Sequence, residues 1–189
     1  MTFSFKQVQF FAFSFGLSIL ALSANAQSGE DIKAQMIKDW ERAKAYTQDY
    51  LNAMPADKYS FKATDSVRSF AQQMIHMAQG TVFIVSTGSG ESPIFGERDI
   101  EHSPGAQSKD SVSYFVNASY DYAINAIKKL DVSKFTETAK AFGMEIQRWV
   151  WLNKAFEHQT HHRGQTTIYI RLVGSKPPQE RLFRSEERR

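Results

Sequence analysis

The chain has 189 residues, no cysteine and a formal net charge of +3 at pH 7. The lack of cysteine excludes a disulfide framework and any chemistry that uses a thiol of the chain itself. The basic excess lies in the C-terminal RLFRSEERR, where it is interleaved with acids. This pattern indicates a solvated tail and not a nucleic-acid surface, so we expect no nucleic-acid partner.

The first 26 residues have the three parts of a secretory signal peptide. A short stretch with Lys6 is followed by the mostly apolar residues 8–22, and an Ala-x-Ala motif ends at Ala26. A membrane span needs about 20 apolar residues, and this run is shorter. The alternative to a cleaved signal peptide is an uncleaved membrane anchor. We expect an exported protein, periplasmic or secreted, in which residues 27–189 form one domain without a membrane span.

Four long segments have apolar residues at steps of three and four, which mark one face of a helix. These segments are 31–54, about 65–85, 110–130 and 145–173. Asp65 or Ser66 is a good cap for the second helix, and Asp110 for the third. A short amphipathic piece, 133–142, ends at Gly143. Because no strand pattern of useful length is visible, we predict an all-α, up-down four-helix bundle with a short extra helix.

Residues 86–109 separate the second and third predicted helices and are rich in Gly, Ser and Pro. A loop of this length is uncommon inside a compact domain and often borders a functional opening. His102 lies in this loop and is one of the residues that a site at such an opening would use.

Three of the five histidines lie within five positions of the last predicted helix. On a helical wheel, His158 and His162 share a stripe with Trp151 and Val173, so both imidazoles point toward the bundle interior. A histidine pair at i and i+4 is a common half of a helical metal site. The alternative is that this spacing occurs by chance and binds no metal. Burial of two histidines without hydrogen-bond or metal partners would, however, be energetically unfavourable.

A third ligand must come from elsewhere in the chain. On the same wheel, His161 lies at the flank and Arg163 points further out, so we expect both on the helix surface. The remaining candidates are His102 and His76. His76 lies roughly 150° from the apolar stripe of the second helix. Its neighbours there are small or amide side chains that line a cavity or face water, so the pattern leaves His76 open.

The sequence HQTHHRGQ, residues 158–165, and the following TIYIRLVGSKPP resemble the last helix of DinB-like (YfiT-like) metal-binding four-helix bundles. FAQQMIHMA, residues 70–78, resembles the second helix of this family, and MPADKYSFKAT resembles its first loop. The resemblance covers nearly all of residues 27–189. It implies divalent-metal ligands at His76, His158 and His162, zinc or nickel as the usual metal, and often a homodimer.

Three histidine ligands leave coordination positions for water or substrate, as in catalytic sites. We therefore expect a metal-dependent hydrolase or transferase with an unknown small-molecule substrate. The alternative is a bundle that holds a metal or small ligand without turnover, the metal being mainly structural. Some relatives are transferases that use a cytosolic thiol, which does not suit an exported chain.

The histidine pair does not have the form of a metalloprotease motif. Gln159 stands where the general-base glutamate of H-E-x-x-H would be, which argues against that activity. No convincing general base is present nearby. Gln165 and Tyr169 are expected to contact the ligands or the substrate.

Overall fold

The computed structural model describes residues 28–96 and 98–183 and contains four long α-helices within these ranges. They are α1 (Gly29–Ala53), α2 (Phe70–Ser89), α3 (Lys109–Lys129) and α4 (Arg148–Leu172). Both α1 and α2 pack against α3 and α4. The prediction of an all-α four-helix bundle is confirmed. Among the described residues, none of the helices has the length and hydrophobicity of a membrane-spanning segment. The predicted signal peptide lies outside these residues.

Helix α2 begins later than the two caps that the sequence predicted, Asp65 and Ser66. Its N-cap is Ser69, whose hydroxyl accepts a hydrogen bond from the backbone of Gln72 at 3.1 Å. The Gln72 side chain accepts in return from the Ser69 N–H at 2.9 Å. This reciprocal pair is a capping box. Among these candidate caps, only Ser69 has a glutamine three positions later, which explains why the helix begins there.

The third helix also begins at a different cap, since Ser108 and not Asp110 is its N-cap. The Ser108 hydroxyl accepts a hydrogen bond from the Ser111 N–H at 3.2 Å. Asp110 instead lies in the first turn of α3, where a negative charge is favourable near the helix N-terminus. Both residues therefore support the start of the helix in different ways.

Of the predicted short extra helix, 133–142, only a single 3-10 turn is present, at Val132–Lys134. The rest enters a hairpin, in which β1 (Thr138–Ala141) pairs antiparallel with β2 (Met144–Gln147). A ten-residue helix is marginal in water, whereas antiparallel pairing satisfies backbone groups of both strands. Because β2 takes residues that were predicted as helical, α4 begins at Arg148 and not near 145.

The turn of this hairpin holds Phe142 and Gly143 in the left-handed region, with φ of +52° and +74°. A two-residue turn with two positive φ angles is of type I′ and favours Asn-Gly. Within residues 28–96 and 98–183, Phe142 is the one non-glycine residue with positive φ. This conformation is unfavourable by about 1 kcal/mol for a residue such as Phe. The Phe142 side chain is nevertheless 71% exposed.

Arg163, predicted to lie on the surface, is buried in the bundle and only 4% exposed. Its Nη1 donates to Oε1 of Gln159 at 3.0 Å and to the hydroxyl of Thr47 at 3.4 Å. Its guanidinium carbon lies 4.6 Å from the ring centroid of Tyr46. The Tyr120 hydroxyl donates to the same Gln159 oxygen at 2.7 Å. These polar partners compensate for desolvation of the guanidinium, so the surface prediction for Arg163 is wrong.

The buried face of α4 is therefore rotated relative to the predicted stripe. It includes three polar residues that a hydrophobic pattern does not select, Gln159, Arg163 and Thr166. The buried residues of this helix are Trp151, Leu152, Ala155, Gln159, Arg163, Thr166, Tyr169 and Ile170. His158 and His162 lie at the edge of this face and are only partly buried. The two histidines are consequently closer to solvent than predicted.

The hairpin turn yields a test of backbone strain. We expect Phe142→Asn to be more stable than Phe142→Ala by about 1 kcal/mol, because both lose the ring but Asn tolerates positive φ. Urea unfolding of the two variants measures the difference. The same pair at Tyr114, an exposed residue within α3, is the control, and there Ala should be the more stable because it favours helix. Equal stability of the two Phe142 variants would contradict the assignment of strain.

Candidate metal centre

His76 of α2 and His158 and His162 of α4 converge between these two helices. One ring nitrogen from each histidine lies within 4.8 Å of the other two. The ring centroids of His158 and His162 are 4.4 Å apart, and those of His76 and His162 are 4.6 Å apart. Three imidazoles at these distances have the geometry to hold one metal ion. We call these three residues the histidine triad.

The structure brings His76 into the triad and leaves His102 out of it. Helix α2 packs against both α3 and α4, and eleven of its 20 residues are buried. A helix that is buried on two sides has apolar residues on more than one face, so a helical wheel with a single apolar stripe does not describe it. His76 therefore lies far from the predicted stripe and still faces α4. His102 is exposed, and its Nδ1 pairs with Asp99 at 2.8 Å.

Two glycines of α2 allow the close approach of α4. A Cβ atom at Gly80 would lie 2.7 Å from Nε2 of His158 and would displace its ring. At Gly88, a Cβ atom would lie 2.9 Å from the Cβ atom of Trp151. Glycine inside a helix is unfavourable by about 1 kcal/mol relative to alanine, so both positions have a packing reason. Gly80, one turn after His76, is the sequence signal for this contact.

Glu101 of the loop between α2 and α3 orients His76. Its Oε2 lies 2.9 Å from Nδ1 of His76, and its Oε1 accepts from Nε of Arg68 at 2.7 Å. A carboxylate only accepts hydrogen bonds, so Nδ1 of His76 carries a proton, and in the neutral imidazole the lone pair is then on Nε2. Glu101 is 8% exposed. Such a carboxylate–histidine pair commonly supports a metal ligand, and sequence reasoning missed it.

Amide side chains link His162 to His161. Nε2 of Gln73 lies 2.8 Å from Nδ1 of His162, and Gln73 also contacts Gln165. The Gln165 amide lies 2.9 Å from Nε2 of His161, which is exposed and outside the triad. If His162 ligates through Nε2, its Nδ1 carries the proton, and Gln73 then presents its amide oxygen. Gln73, buried in α2, is a second orienting residue that sequence reasoning did not assign.

Tyr169 contacts another part of this surface. Its hydroxyl donates to the backbone carbonyl of Arg68 at 2.9 Å. Arg68 in turn contacts Glu101, so Tyr169 is connected to the triad through two intermediate residues. Its expected contact with the ligands is therefore indirect.

Burial keeps two members of the triad neutral. It lowers the pKa of His158 to about 4, helped by the nearby His76 and His161. It lowers the pKa of His162 to about 3, helped by His158 and His76. Both pKa values lie below the ordinary value of 6.5, so these rings are uncharged at pH 7. Neutral imidazole is the form that binds metals, and protons compete little for these two rings at that pH.

Two open clefts lie beside the triad. One has a volume of about 780 Å³, and its lining mixes polar side chains such as Lys62 and Arg68 with apolar ones such as Ile168. The other, of about 750 Å³, reaches His76 and His158 directly and has a mostly apolar lining. Both volumes are within the range of small-molecule sites. The triad is therefore accessible to a small molecule from the surface.

Comparison with solved structures finds the same fold in DinB-like proteins. The protein from Bacillus cereus has a TM-score of 0.67 at 18% identity, over 78% of this chain and 96% of its own. The protein YjoA from Bacillus subtilis has a TM-score of 0.61 at 17% identity, over 79% and 96%. A conserved protein from Enterococcus faecalis gives 0.61 at 16%, over 75% and 96%.

Comparison with curated proteins gives no match. The DinB family model, by contrast, matches residues 24–188, which is nearly the whole chain. This match agrees with the resemblance of the helix motifs and with the four-helix fold of the solved structures. The chain belongs to the DinB family.

Proposed function

We propose that this protein binds one divalent transition metal through His76, His158 and His162. The observation that carries the proposal is the convergence of three histidine nitrogens within 4.8 Å beside an open cleft. Nδ1 of His158 adds support, because within the described ranges it is a buried atom without a hydrogen-bond partner. An unsatisfied buried nitrogen is unfavourable, and a cation bound there would supply the missing partner.

The donor set limits the choice of metal. Three imidazoles suit zinc, nickel, copper, iron or cobalt better than magnesium or calcium, which prefer oxygen ligands. Among these, zinc or nickel is our proposal, on the basis of the family resemblance. With three protein ligands, further coordination positions remain for a substrate or water.

The chemistry we propose is hydrolysis or group transfer on a small molecule. When bound, such an ion polarises a substrate and makes a water molecule or a thiol easier to ionise. The chain itself holds the ligands in place, through Glu101 at His76 and Gln73 at His162. Lys62 lines the first cleft and is placed to bind an anionic substrate group, whereas Arg68 in the same cleft is paired with Glu101.

Gln159 does not serve as a general base. Its side chain is fully buried and bonded to Tyr120 and Arg163. It therefore belongs to the polar network inside the bundle and not to the triad. This placement supports the exclusion of a metalloprotease mechanism, in which that position would activate water.

We also propose that the chain is exported, periplasmic or secreted, and cleaved after Ala26. Lys6, the apolar stretch 8–22 and the Ala-x-Ala motif support this proposal. Mass spectrometry of the protein recovered outside the cytoplasm should then find an N-terminus at Gln27. An intact chain that begins at Met1 and stays in the cytoplasm would contradict it.

The metal proposal is tested by analysis of protein purified without a histidine tag. We expect about one zinc or nickel ion per chain by elemental mass spectrometry. Loss of the ion is expected in His76→Ala and in His158→Ala, since two histidines form an incomplete site. His102→Ala and His161→Ala, which change histidines outside the triad, are the controls and should keep it.

Other outcomes separate the alternatives. Loss of metal only in His158→Ala would remove His76 from the ligand set. No metal in the wild type, even after incubation with zinc and nickel, would refute the proposed function. A metal that raises the melting temperature while an additional protein ligand closes the coordination sphere would favour the structural role.

The Glu101→Gln variant tests whether the Glu101 carboxylate strengthens metal binding by His76. Glutamine keeps an acceptor but not the charge, so we expect the metal affinity to fall about tenfold. Competition with a chromophoric chelator measures this affinity. Glu91→Gln is the matched control, because Glu91 lies in the same loop but pairs with Lys129 at 3.0 Å. Equal affinities of the Glu101 variant and the wild type would show that this carboxylate does not support the site.

A further inference from the structure

We propose that the apolar cleft beside His76 and His158 binds an alkyl or aromatic group of the substrate, with Phe142 as its outer wall. This inference rests on the proposed function, because the triad forms the inner end of the cleft. It adds a substrate class: small molecules in which the reacting polar group is attached to an apolar group. The phenylalanine rings and their position relative to the triad support it.

Four separate parts of the chain build the cleft. Helix α2 contributes Val82 and Phe83, the loop after it contributes Pro93 and Phe95, and the hairpin contributes Phe142. Helix α4 contributes His158, which lies with His76 in the lining, and Arg98, Asp99 and Glu101 are the charged residues there. A pocket of about 750 Å³ with a mostly apolar lining and a few polar groups at one end is typical of small-molecule sites.

Two aromatic rings at this cleft remain exposed. Phe83 is 44% exposed and Phe142 is 71% exposed, and their ring centroids are 5.0 Å apart. Neither ring is needed to fill the core, and exposed apolar side chains that lie together commonly mark a binding surface. They form a surface on which an apolar group of a ligand would lose its contact with water.

The backbone of Phe142 strengthens the argument. At a type I′ turn, Asn would satisfy the positive φ of +52° without strain. Contacts of the Phe142 ring with Phe83 and Trp151 are one reason for phenylalanine at this position. Strained residues that persist in a fold often serve binding or catalysis, and the ring of Phe142 lines the cleft. We assign this ring to contact with the substrate.

The position of the triad in the apolar cleft indicates which kind of substrate the cleft binds. His76 and His158 lie in the lining of the apolar cleft, so a group bound there has its polar end at the metal ligands. Lys62 and Arg68 lie in the other cleft, whereas Arg98 is, among the described residues, the one Lys or Arg residue in the lining of the apolar cleft, where Asp99 and Glu101 balance its charge. A purely ionic substrate would leave the phenylalanine rings exposed to water, whereas a substrate with an apolar group would cover them.

The test compares two probes that bind metal through the same group, acetohydroxamate and benzohydroxamate. On the zinc-loaded chain, we expect benzohydroxamate to bind about tenfold more tightly or better by calorimetry, because its phenyl group enters the cleft. Phe142→Asn should remove most of this preference while it leaves the affinity for acetohydroxamate unchanged. Phe83→Ala should act in the same way. Leu172→Ala, at an exposed leucine outside the cleft, is the matched control.

The outcomes distinguish this inference from the proposed function. Binding of acetohydroxamate without a preference for benzohydroxamate would overturn the apolar subsite and leave the metal site intact. Binding of neither hydroxamate would count against an open metal site. Benzyl alcohol, titrated against the metal-free chain in NMR spectra, then tests the cleft alone. Shifts at Val82 and Phe83 that disappear in Phe142→Asn would support the subsite, and no shifts would overturn it.

A second copy of the chain is the competing occupant of the exposed rings. Sedimentation of the wild type and of Phe142→Asn tests this alternative. A dimer that dissociates in the variant, with an unchanged preference for benzohydroxamate, would make this face an interface between copies and overturn the proposal.

Discussion

The close packing of α2 against α4 is the constraint on which the site depends. Gly80 leaves room for the ring of His158, and Gly88 lets the start of α4 approach the end of α2. Any larger residue at position 80 would push the His158 ring away from its neighbours. The two glycines reduce the intrinsic stability of α2, which packing on both sides of the helix offsets. Convergence of the histidines is therefore a consequence of how the two helices meet.

Loop residues complete what the helices begin. Glu101 lies in the long segment before α3, yet it is nearly buried and bonded to Arg68 and His76. Its backbone N–H also donates to Oε1 of Gln79 at 3.0 Å. These bonds tie the loop to α2 on one side of the triad. The orientation of His76 thus depends on a residue far from it in the sequence.

Much of the fold was predictable, because four apolar stripes with helical spacing define four helices. The i, i+4 spacing of His158 and His162 was also sufficient to pair them. The burial of Arg163 could not be predicted, because it depends on polar partners on other helices. The contact of Glu101 with His76 could not be predicted either, because no spacing in the sequence links the two residues. The hairpin was missed because each of its two strands has only four residues, which is too short for an alternating pattern to stand out.

The histidines of the triad come from the second and the last helix, which are far apart in the sequence. This chain has no cysteine, so no disulfide bond links its helices. An ion held by His76 and His162 would act as a cross-link between α2 and α4. This cross-link would form when the metal binds and be lost when the metal dissociates. The rigidity of the bundle on the side of the clefts would then follow the metal content of the surroundings, without any change in the covalent structure of the protein.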